Sequence, residues 1–186
     1  MTAQMDLDII ELLRDEHEDL RELFDEVLSA EPQARTEPFR YLVARLAAHE
    51  AAEEALVHSV SQREIPGGEE PADVSMEQEA TTERMLAGME HLEPNSDTFV
   101  TALKELQAAV LEHAAHEEAE EFPLFTEHLT ITRRRELAEA FQVLRDGGPT
   151  RPHPMTPQNP TVRALTGPVV GIFDRARDSV RDALNH

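Results

Sequence analysis

The chain has no cysteine, and this absence removes disulfides, thiolate nucleophiles and cysteine-ligated zinc or iron–sulfur sites at once. Tryptophan is missing as well, tyrosine occurs once and glycine seven times in 186 residues, while alanine, leucine, glutamate and arginine crowd the sequence. These are helix formers, and no stretch reads as a strand. The composition predicts an all-α protein. Basic residues are scarce too: 17 Lys and Arg stand against 38 Asp and Glu, for a formal net charge of -21. Such a field argues against nucleic acid and anionic membrane as partners and suits cationic ligands. No apolar run approaches bilayer-spanning length, and Met1-Thr-Ala-Gln-Met-Asp6 opens an acidic amphipathic segment, not a secretory signal. A soluble, cytoplasmic protein is expected. A nucleophile constellation and a Gly-rich phosphate loop are also lacking, so hydrolase and nucleotide-binding readings find no support.

With thiols excluded, histidine and carboxylate are the strong ligands that remain, and both stand where apolar residues belong. Phe99, Leu103, Leu106 and Val110 recur at the spacing of a core-facing helix stripe, and continuing the rhythm reaches His113 and then Glu117. Earlier in the chain Leu42 and Leu46 lead in the same way to His49 and Glu53. Each copy reads His-x-x-x-Glu-Glu, and the i to i+4 step puts both side chains on one face, about one turn apart. A buried carboxylate is costly unless it is paired or holds a metal. Either these helices run into water here, or the core carries a metal; a solvated face has no reason to stay in phase with the stripe twice. His17 holds the centre of a third stripe, Ile10, Leu13, Leu20, Phe24 and Val27, where a lone histidine is ordinarily a satisfied core residue. His116 with Glu120 repeats the spacing but does not continue the phase of Val110.

Turn residues divide the chain into helices over 6–29, 36–63, 71–92, 98–128 and 132–145. Thr36 is the expected cap of the second, Asn95 or Ser96 that of the fourth, and Pro123 marks a bend. The first four, joined by short connections, predict an up-down-up-down four-helix bundle over residues 1–130, with an additional helix at 131–146 packed outside it. Residues 147–166 form a Pro/Gly-rich connector, and 167–186 an amphipathic C-terminal helix that folds back or serves a homo-oligomer or protein partner. In such a bundle His17, His49, Glu53, His113 and Glu117 meet at one level of the core. Glu79 of the third helix reaches that level if its helix starts a turn later than drawn. Glu54, Glu118 and Glu121 are assigned to salt bridges or supporting contacts, and His58, His91, His128, His153 and His186 to the surface or rim.

Imidazole with carboxylate favours iron or manganese, and mixed sites with open positions are typical of non-haem iron that handles O2. Glu53 and Glu117 are the natural bridges between two metals, with His49 and His113 as terminal ligands; geometry alone leaves zinc open.

Arg14-Asp-Glu-His17-Glu-Asp-Leu20, His49-Glu50-x-x-Glu53-Glu54 and His113-x-x-x-Glu117-Glu118-x-x-x-Phe122-Pro123 together resemble the hemerythrin-like, or HHE cation-binding, domain family, over roughly residues 6 to 128. The resemblance implies a four-helix bundle around two non-haem iron ions, held by His17, His49, Glu53, His113 and Glu117, with Glu50 as an extra ligand. It implies a protein that binds or reacts with O2, peroxide or nitric oxide in an oxidative or nitrosative stress response, with catalase- or peroxidase-like turnover. The alternative is an iron- or oxygen-sensing module without turnover, whose C-terminal helix reports to a partner; a metal-free acidic scaffold is the plainest reading. Two departures stand out. Glu79 occupies the place of the family's third-helix histidine, which favours ferric iron and oxidative chemistry over reversible O2 carriage. His58-Ser59 replaces the Tyr-Pro that closes the family's second-helix motif.

Overall fold

The computed structural model describes residues 8–146, and among them all regular structure is helical. Helix α1 (Ile9–Ser29) begins where the Asp8 side chain accepts a hydrogen bond from the Ile10 N–H at 3.1 Å. Its stripe of Ile10, Leu13, His17, Leu20, Phe24 and Val27 is buried throughout. Helix α2 (Thr36–Ala52) opens on Thr36 as a helical residue and not as its cap; Arg35 precedes it and makes no side-chain cap. The helix predicted over 36–63 is then interrupted by a π turn, Glu53–His58, before resuming as α3 (Ser59–Glu64). The turn that follows uses Gly67 at φ 78 and Gly68, where a Cβ would collide with the Ser61 carbonyl. Helix α4 (Glu69–Met89) starts two residues earlier than expected, so Glu79 stands at its middle without any shift of the start.

Ser96 caps α5 (Asp97–His116), accepting from the Phe99 N–H at 3.1 Å. A second π turn, Glu117–Glu121, separates it from α6 (Phe122–His128), so the irregularity expected at Pro123 precedes the proline. Helix α7 (Ile131–Arg145) follows a Thr130 cap.

The bundle pairs α1 with α2 and α5, and α4 with α5 and α3. Helix α7 is not an outlying helix. It packs across α1, α2 and the first π turn, and its Leu137, Ala138, Phe141 and Leu144 join Ile9, Leu13, Leu56, Phe122 and Phe125 in one apolar core. A second core, built on Leu20, Phe24, Leu42, Leu46, Phe99, Leu103 and Leu106, fills the other end. The segment 147–186, with the predicted connector and C-terminal helix, lies outside the described residues. No described helix is long and apolar enough to cross a membrane.

Candidate metal centre

Between the two apolar cores lies a buried layer of imidazoles and carboxylates: His17, His49, Glu53, His58, Glu79, His113, Glu117 and Glu121 are all 7% exposed or less. Both π turns begin at the glutamate of a His-x-x-x-Glu copy. A π turn closes i to i+5 hydrogen bonds, wider than the i to i+4 of an α-helix, and so shifts the phase of everything beyond it. The shift decides the fate of His58. Nine residues after His49 is about two and a half turns of regular helix, which would point His58 away from the site. Through the π turn it comes round beneath Glu53, fully buried, and the rim position expected for it is incorrect. No sequence rule for π turns exists to reveal this; the signal that was present was the missing third-helix histidine together with an unexplained histidine at 58.

The ligand-bearing atoms converge from α1, α2, α4, α5 and both π turns. His17 Nε2 lies 3.7 Å from Glu53 Oε1 and 3.2 Å from Glu117 Oε2, and His49 Nε2 is 3.1 Å from Glu53 Oε2. On the other side His113 Nε2 is 3.8 Å from Glu53 Oε2, 3.9 Å from Glu79 Oε1 and 3.6 Å from Glu117 Oε2. His58 Nε2 is 3.2 Å from Glu79 Oε1 and 3.7 Å from Glu117 Oε1. Three groups place their donor atoms within 4.8 Å of one another: His17, His49 and Glu53; His58, His113 and Glu117; Glu53, Glu79 and His113. Glu53 and Glu117 stand between the histidines of the two sides. Glu50 is buried with an unpartnered Oε1 but belongs to none of these groups. His116 points elsewhere, to the Pro71 carbonyl at 3.2 Å, and Glu120 is exposed.

Two of the four imidazoles, His17 and His58, are steered from behind by a carboxylate. An ionised carboxylate only accepts, so the ring nitrogen facing it carries the proton and the other is aimed at the centre. His17 Nδ1 faces Glu118 Oε1 at 3.0 Å, and His58 Nδ1 faces Glu121 at 3.1 Å, with the Ser75 hydroxyl donating to the same carboxylate at 3.2 Å. His49 Nδ1 lies 4.0 Å from Glu16, whose oxygens are held by Arg45 at 2.9 Å and by Arg145 of α7.

The protons follow the charges. Burial works against a charge on His17, but the Glu117 and Glu53 carboxylates beside its Nε2 outweigh it and raise its pKa to about 11. His58 is likewise held well above its ordinary value, against burial, by Glu121 and Glu79, and His113 is raised by Glu117 and Glu53. His49 goes the other way: burial, reinforced by the charges of His17, His113 and Arg45, pushes it down to about 3 despite Glu53. Burial lifts Glu79 to about 7 and raises Glu50 well above the usual carboxylate range. Glu53 and Glu117 share one site and split. Three histidines draw Glu53 well down against its burial, and burial with the Glu53 charge holds Glu117 up.

A metal fits this donor set. His17 Nε2, His49 Nε2, His113 Nε2 and both carboxylate oxygens of Glu53 and Glu117 are buried without a hydrogen-bond partner. Orphaned buried polar atoms cost about 1–3 kcal/mol each, and buried charges persist where they are paired or coordinate a cation. Clustered in one layer between apolar cores, these orphans face one another.

Comparison with known proteins agrees. Residues 8–125, well over half of the chain, match the model of the hemerythrin HHE cation binding domain. An uncharacterized hemerythrin-like protein of Schizosaccharomyces pombe is 26% identical over 134 residues, covering 72% of this chain. The match spans 66% of that relative, just under two thirds of its length. No solved structure matches.

Proposed function

Starting from a chain that belongs to the hemerythrin HHE cation-binding family, we propose that it is a non-haem di-iron protein that reacts with O2, peroxide or nitric oxide in an oxidative or nitrosative stress response. His17, His49 and Glu53 would hold one ion, and His113 with Glu79 and Glu117 would hold the other. The orphaned donor atoms of this layer carry the reading. Bound iron supplies one-electron redox chemistry toward a small oxidant.

The chain's own part is selection and positioning. Leu13, Leu20, Leu46 and Val110 are buried around the layer, and Leu86 is partly buried beside it, so access favours small, weakly polar molecules over bulk water. Glu118 and Glu121 fix the ring orientation of His17 and His58, and such outer partners commonly set metal affinity within 10–100-fold, as an order of magnitude. The additional carboxylate of Glu79, buried in the layer, favours the ferric state and with it peroxide turnover over reversible O2 carriage. Glu50 stays outside the set.

A sensor without turnover is the second reading, and one contact favours it. Arg145, at the end of α7, grips Glu16, whose carboxylate lies 4.0 Å from His49 Nδ1, which joins the surroundings of His49 to the helix that leads into residues 147–186. Metal analysis of the purified chain tests the proposal: about two irons per chain are expected, and an iron-free chain that takes up none sinks it. Peroxide decomposition above the rate of free iron then selects the enzyme; iron-dependent stabilisation without turnover selects the sensor.

A further inference from the structure

The third helix lacks the histidine that a site of this kind would draw from it, yet the layer holds a fourth imidazole. We infer that His58, carried into the layer by the π turn of the second helix, is itself a metal ligand through Nε2 and supplies the nitrogen that Glu79 cannot. The inference rests on the di-iron reading above and adds a ligand to it.

Three observations carry the assignment. First, His58 Nδ1 is already committed. It faces Glu121, which also accepts from Ser75, so the ring is clamped with Nε2 directed into the layer. A coordinating histidine almost always donates its other N–H to a carboxylate in this way. Second, Nε2 stands in a group with His113 Nε2 and a Glu117 oxygen, all within 4.8 Å, and is 3.2 Å from Glu79. These donors come from the first π turn, α5, the start of the second π turn and α4, and so surround a point instead of lining one wall. Third, the backbone has been bent for it. Regular helix would carry residue 58 to the far side, and only the π turn brings it under Glu53.

The competing role is ionic: His58 would be an imidazolium clamped between Glu79 and Glu121, holding α4 to the second π turn and never touching metal. The two roles differ in what loss of the imidazole does. Under our assignment the centre has two imidazoles on each side, His17 with His49 and His58 with His113. Glu79 then adds a carboxylate rather than replacing a histidine.

The test uses the full chain loaded with ferrous iron and oxidised in air. His58→Gln keeps an amide donor for Glu121 but has no imidazole. With wild type holding about two irons, the variant is expected to fall to about one, and its ferric charge-transfer spectrum to change. A variant that keeps wild-type iron content and spectrum overturns the assignment while leaving the di-iron proposal standing; a wild type that binds no iron removes both. Should His58→Gln fail to fold, the cobalt(II)-loaded wild type decides. Hyperfine-shifted, exchangeable imidazole N–H resonances are expected for His58 as well as for His17, His49 and His113. The absence of a signal beyond those three overturns the inference.

Discussion

The two His-x-x-x-Glu copies are built on one plan and end differently. His49 pairs with His113, Glu53 with Glu117, and Glu54 with Glu118; each glutamate starts a π turn, and nine residues after each histidine comes the residue that the π turn delivers inward. In the first copy that residue is His58, whose ring lies 6.3 Å from that of His113. In the second it is Phe122, which stacks on His17 with centroids 5.9 Å apart and planes 14° from parallel. The same backbone device thus presents a donor to the metal layer on one side and a flat apolar support on the other. The difference lies in a side chain, not in the fold.

Removing what the copies share should have the largest effect. Glu53→Ala or Glu117→Ala takes away the carboxylate that both halves of the layer approach, and either change is expected to abolish iron uptake, read as metal per chain. If one variant keeps its iron while the other loses it, the two copies are not equivalent and a single glutamate does the bridging.

Next comes the position where they differ. Phe122 is 1% exposed, and Phe122→Ala should destabilise the metal-free chain by about 3–5 kcal/mol in urea unfolding. Iron content should survive, because Phe122 offers no ligand atom. His58→Gln should show the opposite pattern, losing iron with a smaller loss of stability. Equal losses of both quantities in both variants would mean that residue 58 is structural, like 122.

Much of this comparison was legible in the sequence, and one part was not. The stripes of α1 and α5, the His-x-x-x-Glu pairs and Glu79 follow from a periodicity of 3.6, which holds through the first half of each helix. Past Glu53 and Glu117 the helices add a residue to a turn, and every later position falls out of phase. Regular helical phase therefore points His58 to the rim, although it is fully buried. Helix α7 was misplaced for a different reason. Its core face of Leu137, Ala138, Phe141 and Leu144 was visible as a stripe, but a stripe does not say what it packs against, and the contact of the Phe141 ring with His49 is tertiary.

Protonation separates the copies further. Without metal near neutral pH, His49, pushed down to about 3, holds no proton, while His17, raised to about 11, holds its own, and His58 and His113 are shifted upward by the glutamates around them. His17 shows the sign. Its folded value of about 11 exceeds the ordinary 6.5, so its contribution to metal-free stability is complete below 6.5 and is lost as the pH rises through about 11. A metal must displace these protons, so apparent affinity should fall as the pH falls, by about tenfold per unit for each proton released. Calorimetric titration in buffers of different ionisation heat counts them. Uptake without proton release would mean that the histidines raised in the metal-free chain do not ligate.

The smallest expected effect lies at the residue after each shared glutamate. Glu118 takes the proton side of His17 at 3.0 Å, with Arg14 at 3.7 Å from its other oxygen, whereas Glu54, at the same place in the first copy, is exposed. The carboxylate nearest His49 Nδ1 is that of Glu16, 4.0 Å away, one residue before His17 and bound by Arg45 and Arg145. The residue after the shared glutamate therefore orients a histidine of α1 in the second copy and none in the first. Glu118→Gln should weaken iron binding by about tenfold, the low end for a residue behind a ligand, because its side chain is partly open to solvent. Glu54→Gln should leave affinity unchanged, and Glu16→Gln should cost less than Glu118→Gln, since no hydrogen bond joins Glu16 to His49. Chelator competition reads all three. A loss at Glu54 equal to that at Glu118 would show that the residue after each shared glutamate plays one role in both copies.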